Sequence, residues 1–301
     1  MKDIFYVLIF NVFKFFIWII PYKVMYYFAK GLAALIYRID KKHRHIANVN
    51  LDLAYSDTLS SEKKNEIIKT TYLNLMLLLV DFIRNQGISK EKLLKKVTFE
   101  NEHILMDVLA KDKKIILVTA HYGNWELLPL SLAAKFGPLT GVGRKLDSDS
   151  MDKILSTNRE QFDIEMLDKK GAMKEMITVL KNNRMLGLLV DQNTSEKEGI
   201  LVDFFGKPVR HTPSAAILAR RFDAVIIPAF ITTDDQKHYT ITFYDPIHTE
   251  KTEDKDKDIL DSVQKQAKIT EEVIRKKPEE WFWLHQRWKN QFEERYQQDG
   301  R

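Results

Sequence analysis

The chain contains no cysteine in 301 residues. That absence excludes a thiol nucleophile, an acyl-cysteine intermediate and any cysteine-ligated zinc or iron–sulfur site. With no disulfide to form, nothing points to an oxidising compartment, and a cytosol-facing location is favoured. Other signatures are missing too. There is no G-x-S-x-G elbow to present a serine nucleophile, and no H-E-x-x-H metal helix. Gly141-Val142-Gly143 lacks the third glycine of a dinucleotide loop. His43 and His45 stand two apart in a basic segment and read as part of a charge cluster rather than a metal pair. The sequence therefore asks for no cofactor and no metal, and it shows no internal repeat or low-complexity tract.

What is present is a globular composition, 45% hydrophobic and 30% charged, in a chain long enough to bury a full core. The net charge of +5 and pI near 9.0 suit an acidic partner, such as an anionic membrane, a nucleic acid or an acidic carrier protein. Ile4–Ile20 is almost unbroken hydrophobe, interrupted by Asn11 and Lys14. A spanning helix needs roughly 20 apolar residues, so this run lies at the short edge. Lys14 near the bilayer centre would cost about 2.5–3.5 kcal/mol unless its stem snorkels to an interface. Trp18 and Tyr22 sit where an aromatic belt would form, and Pro21 closes the run.

No small-residue cleavage site follows, as a signal peptide would require. Lys23, Lys30, Arg38, Lys41, Lys42 and Arg44 come after the run, against Lys2 with Asp3 before it, which holds the remainder on the cytoplasmic side. Tyr22–Arg38 reads as a second, amphipathic helix suited to a membrane surface. Residues 1–45 are accordingly expected to be a membrane anchor with a juxtamembrane helix, spanning or lying in the interface, and residues 46–301 a single catalytic domain.

In that domain Ser60 or Ser61 caps a helix running to about Asn85, ended by Gly87. Short apolar strands are expected at Ile115–Thr119, Leu139–Val142, Ile164–Leu167, Leu186–Val190, Val225–Ile231 and Tyr239–Tyr244. Helices are expected at Asn124–Phe136, Ser150–Phe162, Ala172–Asn182 and Pro213–Phe222. The run Glu250–Asp258 reads as a solvated loop leading to a helix that ends near Lys277–Pro278. Strands alternating with helices imply an α/β fold, a mostly parallel central sheet flanked by helices, with its functional site beyond the carboxyl ends of the strands.

The stretch Thr119-Ala120-His121-Tyr122-Gly123-Asn124-Trp125-Glu126 follows the first of those strands. It sets a histidine at a strand end and a carboxylate five positions on. A regular helix would hold the two ~140° apart, but Gly123 permits a tight turn that brings Glu126 toward the imidazole. A carboxylate on one ring nitrogen fixes the tautomer and leaves the other as a base. The following helix N-terminus offers N–H groups to a developing oxyanion.

From these residues outward, the chain resembles the late acyltransferases of lipid A biosynthesis, the lauroyl/myristoyl group of the lysophospholipid-acyltransferase-like superfamily. His121–Glu126 match the family's H-x-G-N-W-E. Asn48-Val49-Asn50-Leu51, Asp191-Gln192, Val202-Asp203-Phe204-Phe205-Gly206 and Pro278–Lys289 match further motifs in order. Gln286 departs from the arginine usual there, and the stretch from Gly143 to Arg159 fits loosely.

The resemblance implies a glycerolipid-acyltransferase-like fold at the cell inner membrane, with its catalytic domain on the cytoplasmic face. It implies an acyl carrier protein donor, a lipid A precursor acceptor in the membrane, an acyloxyacyl ester product and no nucleic-acid partner. His121 and Glu126 would be catalytic, and Arg159, Arg144, Asp191 and Asn124 would bind substrate. Trp281, Trp283 and Trp288, with Arg287 and Lys289, read as structural or interfacial. A glycerophospholipid or phosphatidylinositol mannoside acyltransferase, using coenzyme A donors, is the alternative, and a non-catalytic membrane scaffold the second.

Overall fold

The computed structural model describes residues 2–297. Met1 and the last four residues of the expected 46–301 domain lie outside the described residues, as do the side chains of residues 2–6, including Lys2 and Asp3. Four helices open the chain: α1 (Lys2–Ile19), α2 (Tyr22–Ile39), α3 (Lys41–Tyr55) and α4 (Ser61–Arg84). Pro21 separates α1 from α2, because its ring removes a helical donor. Ser60 caps α4 by accepting from the Lys63 N–H. Helix α3 was not legible in the sequence, since its charged first half hides the apolar periodicity of Ile46, Val49, Leu51 and Leu53.

Then come α5 (Lys90–Leu94), β1 (Val97–Glu100), α6 (His103–Ala110), β2 (Ile115–Thr119), α7 (Leu127–Phe136), β3 (Leu139–Gly143), α8 (Asp149–Arg159), β4 (Ile164–Asp168), α9 (Ala172–Lys181) and β5 (Met185–Leu189). A hairpin of β6 (Ile200–Phe204) and β7 (Lys207–His211) stands apart. Helix α10 (Ser214–Phe222), β8 (Val225–Thr232), β9 (Tyr239–Phe243), α11 (Lys255–Lys276) and the short α12 (Glu293–Tyr296) complete the chain.

The main sheet has seven strands in the order β1-β9-β8-β2-β5-β3-β4, and every pairing is parallel except β8 with β9. This is the α/β architecture with a mostly parallel sheet expected from the alternating pattern. Central strand β2 is buried along its whole length, as a parallel strand covered on both faces must be. Ile115 and Leu117 face the core under α7, whereas Ile116 and Val118 face that of α9 and α10. A further core joins α3, α4, α11, the β6–β7 hairpin and the aromatic C-terminal segment.

The Glu250–Asp258 run is not all solvated loop. Helix α11 begins at Lys255, and Asp258 is buried, accepting from Arg220 Nε at 2.9 Å and from Thr252 Oγ1 at 2.8 Å. Its charge is retained because those partners replace water.

Helix α1 rests on α4 through Ile17, packed with Met25, Val80 and Ile83. Arg84 donates to the carbonyls of Ile17 and Ile20, closing the end of α1. Among the described residues, no helix is long and apolar enough to cross a membrane. At 1.5 Å per residue an 18-residue helix reaches about 27 Å, and Lys14 interrupts it. Of the two expected placements of the anchor, spanning is therefore unsupported.

Candidate active site

Strands β2 and β5 are parallel neighbours, with Thr119 opposite Leu189. His121 and Asp191 each lie two residues past that pair, so the sheet itself brings them together. Asp191 Oδ1 accepts from His121 Nδ1 at 2.8 Å, and its Oδ2 accepts from the His121 backbone N–H at 2.9 Å and from Trp281 Nε1 at 2.8 Å. Burial alone would raise the Asp191 carboxyl. The charge of His121 and these hydrogen bonds outweigh it and hold the carboxyl well below its ordinary range. With Nδ1–H given to Asp191, Nε2 is the free base of the neutral ring. It lies 3.3 Å from Gln192 Nε2, and the ring is flanked by Trp125 and Phe282, whose centroids are 5.4 and 6.3 Å away.

The partner of the imidazole is thus Asp191 and not Glu126, which corrects the expectation from spacing. Both oxygens of Glu126 are taken by Arg159: Nε donates to Oε2 at 2.9 Å and Nη2 to Oε1 at 2.5 Å. Burial works against the Arg159 charge, yet the bonds and charge of Glu126 prevail and raise its pKa. Arg159 also lies against the end of β3, where a Cβ on Gly143 would stand 3.4 Å from Nη1.

Arg144 follows the same strand, but its side chain is 83% exposed and 3.8 Å from Asp147. Asn124 is not available to a ligand. It is buried, donates to Asp81 Oδ2 at 3.2 Å and accepts from the Leu127 N–H at 3.1 Å, tying the start of α7 to α4. The Leu128 N–H goes to the Asn124 carbonyl as well. Neither of these two helix N–H groups is left for an oxyanion.

Gly123 has φ +58°, and a Cβ there would meet the Ile231 carbonyl oxygen at 1.9 Å. The turn therefore folds directly against the backbone of β8. The C-terminal segment then locks it: Gly123 N–H donates to the Glu280 carbonyl, Tyr122 bridges Trp281, and Phe282 N–H donates to the His121 carbonyl, each of the two bonds at 2.9 Å. Trp281, Trp283 and Trp288 are buried, so of the two expectations for this cluster the structural one holds and the interfacial one does not.

Arg287 is equally buried and donates to the Gln192 and Arg210 carbonyls. Burial lowers its pKa to about 10. His285 is pushed down to about 4 by burial, against the pull of Asp191, and its Nε2 accepts from the Asn193 N–H at 2.9 Å. Sequence reasoning missed these two as props of the Asp191–Gln192 loop. Their signal was the motif match over Pro278–Lys289 and a segment too aromatic for a surface tail, neither of which says what they hold. Among the described residues no group of three or more His, Asp or Glu side chains is placed to hold a metal ion.

A histidine–aspartate pair at the carboxyl end of a buried parallel sheet, with an arginine–glutamate pair beside it, is a base set near a cationic anchor. The family model of bacterial lipid A biosynthesis acyltransferases matches residues 1–290. The chain belongs to that family. It is an acyltransferase.

It is 27% identical over 281 residues to the lipid A biosynthesis lauroyltransferase of Escherichia coli K12, covering 90% of this chain and 87% of that protein. A lipid A biosynthesis acyltransferase of Haemophilus influenzae is 24% identical over 285 residues, 92% of this chain and 88% of the relative. The phosphatidylinositol mannoside acyltransferase of Mycobacterium tuberculosis H37Rv is 30% identical over 124 residues, 40% of this chain and 39% of the relative.

Proposed function

We propose that this acyltransferase moves a fatty acyl group from acyl carrier protein to a hydroxyl of a lipid A precursor, forming an acyloxyacyl ester. The observation that carries the reading is the His121 imidazole, its Nδ1 held by buried Asp191 and its side chain 22% exposed. Nε2 takes the proton of the acceptor hydroxyl as that oxygen attacks the thioester carbonyl. The carbon–sulfur bond then breaks, and the departing thiolate takes the proton back from the imidazolium. Asp191 fixes the tautomer and balances the imidazolium charge.

Glu126 acts through Arg159, whose remaining guanidinium edge, with Arg144 swinging from solvent, suits an acceptor phosphate. A net charge of +5 favours docking of an acidic carrier. Membrane placement is part of the proposal, with residues 1–45 facing lipid, 46–301 the acyltransferase domain and the site on the cytoplasmic face of the inner membrane. Exposed Leu8, Val12, Phe15, Phe16 and Trp18 on α1, with Tyr27 and Phe28 on α2, support lying in the interface.

The test is mass spectrometry of the product after incubation with acyl-carrier donor and a tetra-acylated lipid A precursor. We expect one added acyl ester, and His121→Ala to lower turnover about 10²–10⁴-fold with the fold intact. Turnover within a few-fold of wild type in that variant rejects the mechanism. The similarity to a phosphatidylinositol mannoside acyltransferase supports a second reading, and transfer to that acceptor alone, from coenzyme A, would select it.

A further inference from the structure

The face of the sheet under α7 and α8 carries a row that is buried at Leu117 and half-buried beyond it. Leu117, Gly187, Gly141 and Met166 lie side by side across β2, β5, β3 and β4, and the next row toward the carboxyl ends pairs Thr119 with Leu189 and Gly143 with Asp168. Gly187 belongs to a central strand, yet it is only half-buried, and so are Gly141 and Gly143. Leu189 is 37% exposed. A Cβ on Gly187 would be in ordinary contact, with Leu139 Cδ1 at 3.5 Å and the Thr140 carbonyl oxygen at 3.8 Å. Leu139 thus lines the floor beside the half-buried main chain of Gly187.

A second observation points to a ligand. Thr119, only 9% exposed, heads the next row two residues before His121, and its Oγ1 has no hydrogen-bond partner. A buried hydroxyl without a partner is destabilising, and an ester or thioester oxygen accepting from it removes that penalty. At the other end the floor closes. Met166 lies over β3, its Sδ 3.0 Å from where a Gly141 Cβ would be and its Cε 3.2 Å from that of Gly143.

We infer that this glycine-floored groove takes the transferred acyl chain, carbonyl at Thr119 and methyl end toward β4, and that Met166 is the stop that sets its length. The inference rests on the acyl-transfer reading above and adds the residues that choose among acyl donors. Strands stand about 4.8 Å apart, so truncating Met166 lengthens the groove by one such spacing. A thioether on a flexible stem is suited to end such a groove without excluding close homologues.

The test measures kcat/KM for wild type, Met166→Ala and Gly187→Val with a series of saturated acyl thioesters of increasing length. Each methylene gained or lost in the groove changes affinity about fourfold. Met166→Ala is expected to shift the optimum at least two carbons longer, raising the ratio of long to short donors about tenfold or more. Gly187→Val is expected to lower that ratio by a similar factor. Thr119→Val should lower kcat alike for every length.

A folding defect lowers all donors together and cannot imitate opposite shifts. Active variants that keep the wild-type length profile overturn the assignment while leaving acyl transfer intact. A wild-type protein inactive with every donor overturns the functional reading beneath it.

Discussion

At the scale of single residues, the proposed mechanism gives the His121–Asp191 and Glu126–Arg159 pairs different tasks. Asp191 is buried and carries its charge only because three donors face it. Asp191→Asn is predicted to lower kcat about 10²–10⁴-fold, since an amide no longer opposes an imidazolium, and to flatten the pH profile of kcat. The sign for stability follows from its depressed pKa. The ionised carboxyl stabilises the fold at pH above its ordinary value of 3.8 and loses that contribution as pH falls toward the depressed one. Melting temperatures below about pH 4 should therefore fall more steeply for wild type than for Asp191→Asn.

Glu126 and Arg159 should behave as one unit. Each alanine variant is expected to lose on the order of 10²-fold in kcat/KM by displacing the anchor, chiefly through KM for the acceptor. The double variant should lose no more than either single one. Additive losses would show that Glu126 works apart from Arg159.

Among the elements, the turn between β2 and α7 is where the site is built. It meets β8 on one side and the Glu280–Phe282 segment on the other, with no room for a side chain at position 123. Gly123→Ala is predicted to destabilise by about 2–4 kcal/mol, through a left-handed backbone and a clash with a main-chain oxygen. Urea denaturation measures it, and an unchanged midpoint would mean that the turn relaxes freely. The elements themselves were largely legible: β2 was expected with its observed ends, and α2, α4, α9 and α10 to within a residue or two, because apolar periodicity and caps are local signals. Strand β1, the β6–β7 hairpin and α3 were not, since short or charged segments gain their structure from partners distant in sequence.

On the scale of the whole molecule, the first two helices present aromatic and aliphatic side chains to solvent while the rest of the chain buries its own. A patch of this kind marks a docking face. Phe15→Asp with Phe28→Asp is predicted to weaken binding to anionic vesicles at least about tenfold, a loss of ~1.4 kcal/mol or more. In wild type, Trp18 emission should shift to the blue on adding vesicles. Equal vesicle binding by the double variant, without any Trp18 shift, would remove the interfacial reading.

The amino-acid sequence by itself determined the alternation of strand and helix, the family, and the histidine at the end of a buried strand, because each rests on neighbours along the chain. Which carboxylate meets that histidine was decided only by tertiary structure. Asp191 lies seventy residues away, and it reaches His121 because β5 packs beside β2, an adjacency set by the pairing of the entire sheet. Glu126, only five positions on in sequence, is bound instead by Arg159.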